Sequence, residues 1–362
     1  VGNVGFRVIH TPGHTPEHLV FLVTDHGARA DAPIGVASGD FVFVGDLGRP
    51  DLLETAAGQA GAMEPAASDL FRTVRKLDEI PDFVQVWPGH GAGSACGKAL
   101  GAVPMSTVGY ERRFNPAIRA ATDERSFIDF ILSGQPEPPL YFARMKRINR
   151  DGPPVLGLLP RPARMSGADL RDVDARSVAL VDTRPWDAFR AGHVPGALSL
   201  PLIRSFDTDA GSLIAENEPI VLIVEPARLD EAVRDLVRIG YDDLRGWVDP
   251  ADLPGFGPGL VTVPEVDVAT ARSMADSGTP VLDVRRATEF AEGHLPDAVN
   301  VAHTRLASRL NEVPAGERLL VNCKSGARSA RAVSLLRRRG VDAVNLRGGF
   351  LAWEGAGAPV AL

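Results

Sequence analysis

The sequence predicts an α/β protein, and two observations carry that expectation. From residue 166 onward, apolar strands alternate with amphipathic helices, the pattern of a parallel sheet covered on both faces. That pattern occurs twice. Ala179-Leu180-Val181-Asp182-Thr183-Arg184 matches Pro280-Val281-Leu282-Asp283-Val284-Arg285, and Phe189-Arg190-Ala191-Gly192-His193-Val194-Pro195-Gly196-Ala197 matches Phe290-Ala291-Glu292-Gly293-His294-Leu295-Pro296-Asp297-Ala298. The separation is a constant 101 residues (179 against 280, 189 against 290), which is the size of a domain.

The elements follow in order. Residues 6–9 read as a strand ending at Thr11-Pro12-Gly13, and residues 19–23 as the next strand. A Gly39-Asp40 pair precedes a strand at 41–44, which runs into Gly45-Asp46-Leu47-Gly48-Arg49. Leu70, Phe71, Val74 and Leu77 recur at helical spacing and predict a helix over 66–77. A strand at 83–87 ends at Pro88-Gly89-His90-Gly91, and Phe127, Ile128 and Ile131 predict a helix over 124–132. Residues 133–165 are rich in proline and glycine, with a short helical piece at 141–148. Each repeat then adds a second strand (220–224 and 319–322) and a helix (229–239 and 329–339) closed at Gly240 or Gly340. Arg337, Arg338 and Arg339 read as the charged end of the last helix. The expected domains are 1–148, a linker at 149–165, and two copies at 166–258 and 259–362.

Composition narrows the function. The net charge of −7 disfavours nucleic acid as a partner. Two cysteines exclude a disulfide scaffold and fit a reducing, cytoplasmic compartment. No apolar run is long enough to cross a bilayer, so no membrane partner is expected. The first residues already read as a strand, with no secretory leader ahead of them.

Cys323 ends a strand and is followed by Lys324-Ser325-Gly326-Ala327-Arg328-Ser329. Backbone N–H groups from Lys324 to Ser329 are expected to turn inward around the sulfur, with the positive end of the next helix behind them. Such a nest favours thiolate and holds a sulfur anion. Gly326 permits the tight turn, and Arg328 orients the loop or clamps substrate. Lys324 and Arg331 add positive charge. The alternative is a buried structural cysteine. Four residues between Cys323 and Arg328, one fewer than the related phosphatase design has, argue for sulfane sulfur over phosphate.

These features, together with Asp-x-Arg, Phe-x-x-Gly-His-x-Pro-x-Ala and Arg347-Gly348-Gly349, make the second half resemble tandem rhodanese domains. The resemblance implies that Cys323 accepts a sulfane sulfur, carries it as a persulfide and passes it to a thiol. It also implies that Asp283 and Arg285 brace the active loop. In the first copy the strand runs into Glu225-Pro226-Ala227-Arg228, which reads as glutamate in the nucleophile's place and an inactive, spacer or docking domain.

Residues 10–18 hold three of the chain's eight histidines. His10, His18 and His26 read as capping or solvated residues. His14, Asp40 and His90 each follow an apolar run and a glycine, at positions suited to a divalent metal. This segment resembles the second half of the metallo-β-lactamase αββα sandwich. The run from Gly39 to Asp51 looks more narrowly like the persulfide dioxygenase branch, in which iron is held by two histidines and one aspartate. The resemblance implies His14 and Asp40 as ligands of one Fe(2+) per complete site, with Zn(2+) as the alternative; His90 would ligate only in a dinuclear site. No His-x-His-x-Asp-His cluster occurs, so the chain is expected to enter that fold halfway, as a fragment supplying two of three iron ligands, with an open sheet edge and an uncovered apolar face.

Arg49 is expected in the thiol pocket. Tyr110 and Arg113 would help bind the carboxylates of a thiol cofactor, or else lie on a solvated helix start. Cys96 is either a sulfur carrier near the entrance or a small buried residue. Together these features imply a bacterial persulfide dioxygenase and sulfurtransferase handling a small-molecule thiol persulfide, thiosulfate or sulfite, and O2. A homo-oligomer is left open. Two alternatives stand beside that expectation: a zinc thioester hydrolase similar to glyoxalase II fused to a rhodanese, and a non-catalytic scaffold.

Overall fold

The computed structural model describes residues 2–92, 94 and 96–362; Gly93 and Ala95, from the segment around Cys96, lie outside the described residues. The chain forms two compact units, Val1–Pro138 and Pro139–Leu362.

In the first unit a five-stranded sheet runs Val4–His10, Leu19–Asp25, Gly35–Gly39, Gln85–Pro88, Ser106–Thr107. Only the pair Gly35–Gly39 with Gln85–Pro88 is parallel. Strand alternation assigns the faces. Val20 and Leu22 are buried against Leu70 and Val74 of helix Met63–Val74 and Phe127 and Ile131 of helix Glu124–Leu132. On the opposite face Phe6, Val8, Leu19 and Phe21 are exposed. The helix at Glu124–Leu132 starts where expected because Asp123 accepts the Ser126 N–H at 2.9 Å. The strand expected at 41–44 shrinks to a two-residue hairpin arm, Val42–Phe43, paired with Asp46–Leu47. The strand Gly35–Gly39, which places Asp40, carries too little alternation to be read from sequence.

The second unit holds two all-parallel sheets of one topology. The first runs Ala163–Met165, Leu244–Val248, Ile220–Ile223, Ala179–Asp182, Leu198–Ser199. The second runs Glu265–Val266, Ala343–Leu346, Leu319–Asn322, Val281–Asp283, Val299–Asn300. Gly240 and Gly340 both follow their helices at positive φ, +81° and +84°. Helix Tyr141–Asp151 and strand Ala163–Met165 belong to the first copy: Arg144 donates to Glu216 O at 3.2 Å, and Arg147 pairs with Glu216. The unit boundary therefore falls at Pro138, before the helix, where proline-rich chain replaces packed side chains.

The motif histidines are structural in both copies. His193 stacks on Phe189 at 3.9 Å and His294 on Phe290 at 3.8 Å, and each bridges to a distant backbone partner. Burial pushes the His193 pKa down to about 4, so the ring is neutral in its stack.

Helix Ala327–Arg338, which leaves the cysteine loop, docks on the first copy. Arg331 pairs with Asp209 at 2.5 Å, and Ser334 Oγ accepts the Ser199 N–H at 3.0 Å. Arg338, expected as the charged end of the helix, also carries its side chain into the first copy: it donates to Ala175 O at 2.7 Å and Val178 O at 3.1 Å and pairs with Glu218. Its guanidinium has more donors than a macrodipole contact needs, and the neighbouring domain accepts them.

Candidate active site and metal centre

Cys323 follows strand Leu319–Asn322 and is wholly buried. Its Sγ accepts hydrogen bonds from the Gly326 N–H at 3.2 Å and the Ser329 hydroxyl at 3.3 Å. Gly326 sits at φ +92° as the N-cap of helix Ala327–Arg338, a conformation that favours glycine. Beneath the loop, Gly348 and Gly349 turn at φ +75° and +59°. A Cβ on Gly349 would strike the Cys323 carbonyl oxygen and come within 2.8 Å of Gly326 N. The absence of that Cβ lets the Phe350 N–H donate to Cys323 O at 2.7 Å and the Leu351 N–H to Lys324 O at 3.0 Å. The Arg-Gly-Gly run is thus the floor of the loop.

Of the expected loop residues, Cys323, Gly326 and Ser329 converge on the sulfur, while Lys324, Ser325 and Ala327 point outward and are exposed. Arg328 is turned aside. Its guanidinium makes two 2.7 Å hydrogen bonds to Glu289, so as placed it braces the loop and does not clamp a substrate over Cys323. Glu289 was not singled out from the sequence. Its only signal there is its place beside Phe290 in the repeated motif, where the first copy has Ala188. Burial pushes the Glu289 carboxyl up, but its bond to Arg328 outweighs this and holds it down at about 2. Asp283 accepts from Arg285 Nε at 2.8 Å and from Asn322 at 3.1 Å, and Arg285 also donates to Gly293 O at 2.7 Å, which ties the active strand to its neighbour.

The sheet register corrects the reading of the first copy. Ile223 lies opposite Asp182 as Asn322 lies opposite Asp283. The residue after each strand is Val224 in one copy and Cys323 in the other. Valine, with no nucleophile, therefore occupies the cysteine position, and Glu225 corresponds to Lys324. The apolar run continues through Val224, one residue past the strand Ile220–Ile223, which moved the expected position to Glu225.

In the first unit, donor atoms of Asp40, His90 and Cys96 lie within 4.8 Å of one another. His90 Nε2 is 3.2 Å from Asp40 Oδ1, and that oxygen is buried without a regular hydrogen bond among the described residues. The contact with Asp40, then that with Cys96, pushes the His90 pKa up to about 10. A buried, unsatisfied carboxylate oxygen beside an imidazole and a thiol fits a divalent transition metal, which would displace the shared proton.

His14 stands outside this group, its Nδ1 3.0 Å from Arg49 O. Of the candidates His14, Asp40 and His90, the group holds Asp40 and His90 with Cys96 as its third member; His14, implied as a ligand by the resemblance, is not in it, and His90, implied only for a dinuclear site, is. His18 Nε2 accepts the Asp40 N–H at 3.0 Å, which makes it a support for Asp40. Arg49, expected in the thiol pocket, is only 1% exposed, and Asp51 takes its guanidinium at 2.9 and 2.6 Å. Tyr110 and Arg113 lie on the surface around Phe114, with the Tyr110 ring 4.8 Å from that of Phe114. The same helix buries Glu111, which accepts the Gly45 N–H at 2.9 Å.

Comparison with known proteins places this geometry. The model of the rhodanese-like domain matches residues 169–245 and 267–356. A "Sulfurtransferase" of Allochromatium vinosum is 36% identical over 101 residues, covering 27% of this chain and 94% of that protein. The chain belongs to the family of rhodanese-like sulfurtransferases. "Thiosulfate sulfurtransferase 18" of Arabidopsis thaliana is 36% identical over 114 residues, with 27% of this chain and 83% of that protein covered. A crystal structure described as a metallo-beta-lactamase from Staphylococcus aureus aligns with TM-score 0.60 and 39% identity over 68% of this chain and 67% of that one. The sulfurtransferase family member described here therefore joins a metallo-β-lactamase-like fold to two rhodanese-like domains with parallel sheets. No described helix is long and apolar enough to cross a membrane.

Proposed function

We propose that this protein couples oxidation of a low-molecular-weight thiol persulfide in the first unit to sulfur transfer through Cys323 in the second. The observation that carries the reading is the sulfur of Cys323, buried and hydrogen-bonded by Gly326 and Ser329 in the rhodanese-like domain matched at 267–356. In the transfer step the Cys323 thiolate attacks the outer sulfur of thiosulfate. The S–S bond breaks, sulfite leaves with the bonding pair, and Cys323 becomes a persulfide. A thiolate acceptor then takes the outer sulfur and returns Cys323 as thiolate. The N–H of Gly326 and the hydroxyl of Ser329 stabilise the negative sulfur at each stage.

Asp40 and His90, with Cys96 or His14 as a further donor, would hold one metal ion in the first unit. Iron(II) bound there would supply the dioxygen chemistry that turns a persulfide, O2 and water into thiol, sulfite and protons. His18 supports Asp40, and the Arg49 carbonyl orients His14. Elemental analysis of the purified full chain tests the assignment: one iron supports oxidation, whereas two zincs would support thioester hydrolysis and overturn it. Asp40→Ala should weaken metal binding by at least about tenfold, since it removes the buried anionic donor.

Glu289 is a positioning residue in this scheme. Its carboxyl is lowered from 4.5 to about 2, so the brace to Arg328 is complete above pH 4.5 and is lost as pH falls through about 2. Glu289→Gln should lower sulfur transfer by about tenfold, the effect of a charge-assisted pair lost from the loop. In a direct probe of loop order, such as amide exchange at Gly326, it should also remove the acid-side transition expected of the wild type. An unchanged acid limb would remove Glu289 from this role.

A further inference from the structure

The first copy retains the shape of a catalytic domain without its nucleophile. Its loops at 183–187, 199–203 and 224–228 follow three parallel strands and wall a cleft of about 760 Å3. Loops at the carboxyl ends of parallel strands are where open α/β sheets bind ligands. The volume lies within the roughly 300–1,000 Å3 usual for small-molecule sites. In the second copy the equivalent loops surround Cys323; here Val224 stands in its place. The far wall is the active loop itself, through Ser325, Gly326 and Ala327, and Gly326 is the residue whose N–H reaches Cys323 Sγ.

The lining chemistry is selective. Five arginines and three acidic residues line the cleft, and two of the arginines, Arg184 and Arg331, are held by Asp182 and Asp209 beside it. The acids Asp187 and Glu265 hold Arg190 and Arg347 from one side, and Glu231 holds Arg228. The side chains of Arg190, Arg228 and Arg347 nonetheless remain 36%, 41% and 62% exposed, so an incoming anion can reach them. Pro185, Trp186, Pro201 and Ile203 supply an apolar wall. Guanidiniums beside an apolar surface suit a small organic molecule with two or more carboxylates.

We propose that the first copy has exchanged its nucleophile for a noncovalent binding site, and that the cleft takes the carboxylate-bearing carrier of a low-molecular-weight thiol. The identity of the ligand rests on the sulfur-transfer reading above; the existence of an anion site does not. The domain without a thiol would then hold the carrier against the loop of the domain that has one.

Calorimetric titration of the full chain with reduced glutathione, S-methylglutathione and citrate tests this. Saturable binding of both glutathione forms is expected. It should weaken by about tenfold or more in Arg228→Glu/Arg347→Glu, whose side chains are exposed enough to tolerate the change, and persist in Cys323→Ser. No saturable binding at millimolar ligand, unchanged affinity in the charge-reversed protein, or loss of binding in Cys323→Ser would each overturn the site. Tighter binding of citrate than of glutathione would overturn the carrier assignment. Intact mass after thiosulfate treatment separates the two readings. If Cys323 gains a sulfur but glutathione does not bind, the cleft proposal alone fails. If glutathione binds but Cys323 gains none, the sulfur-transfer reading fails and the ligand is a polycarboxylate of other origin.

Discussion

Cys323→Ser is expected to abolish sulfur transfer from thiosulfate to a thiol, by roughly a thousandfold or more, because the step requires a nucleophile that serine does not supply at neutral pH. The fold should survive. Serine is smaller than cysteine, the Gly326 N–H and Ser329 hydroxyl can still donate to its oxygen, and the loop floor is built from backbone bonds to Cys323 O and Lys324 O. Intact mass after thiosulfate treatment should show one added sulfur on the wild type and none on the variant. Circular dichroism should superimpose. The same variant tests the coupling, in which the transfer runs in reverse. Cys323 takes the outer sulfur of the thiol persulfide, thiolate leaves, and sulfite from the first unit attacks that sulfur to give thiosulfate and return Cys323 as thiolate. With the metal site loaded, the variant should turn over persulfide but release sulfite in place of thiosulfate. Thiosulfate formed at the wild-type rate would remove Cys323 from the pathway.

Gly349→Ala should damage the second unit strongly. The added Cβ meets the Cys323 carbonyl oxygen and lies 2.8 Å from both Gly326 N and the Lys324 carbonyl carbon, and the residue sits at φ +59°. None of these contacts is the end of a flexible side chain, so the backbone under the loop must shift. Overpacking and a left-handed alanine together should cost about 3 kcal/mol, lowering the melting temperature of the second unit by roughly 10 °C. Sulfur transfer should fall as well, since the displaced backbone is the one that presents the Gly326 N–H to sulfur. Gly340→Ala is the control. It too has positive φ, +84°, but nothing lies within 4 Å of its would-be Cβ, so only a conformational cost of about 1 kcal/mol is expected. Equal melting temperatures for the two variants would show that close approach under the loop is not what glycine provides there.

The two kinds of reasoning parted at particular residues. The repeat at 101-residue spacing and the strand-to-helix turn at Cys323 were legible because they depend on local chain geometry and on a pattern stated twice, whereas the glycine pair at 348–349 stood out only through the rhodanese resemblance. The role of Arg328 was not legible. An arginine near a thiol reads equally as a loop brace or a substrate clamp until Glu289, 39 positions earlier, is seen taking both of its N–H groups. Arg49 and Arg338 show the same limit: a guanidinium is polar in any sequence, and only its partners say whether it is buried. The degenerate copy shows a further limit. The apolar run ends at Val224 and so puts Glu225 in the nucleophile's place, but strand pairing assigns that position to Val224.

By itself the sequence determined the fold class, the duplicated domain and the one thiol-bearing loop, since periodicity, turn residues and spacing are properties of neighbouring positions. Tertiary structure decided which charges meet. It paired Arg328 with Glu289, gathered Asp40, His90 and Cys96, and set the vacated cradle of one copy against the active loop of the other. Those outcomes depend on distances between residues far apart in the chain, which hydrophobic burial sets collectively and no local pattern encodes.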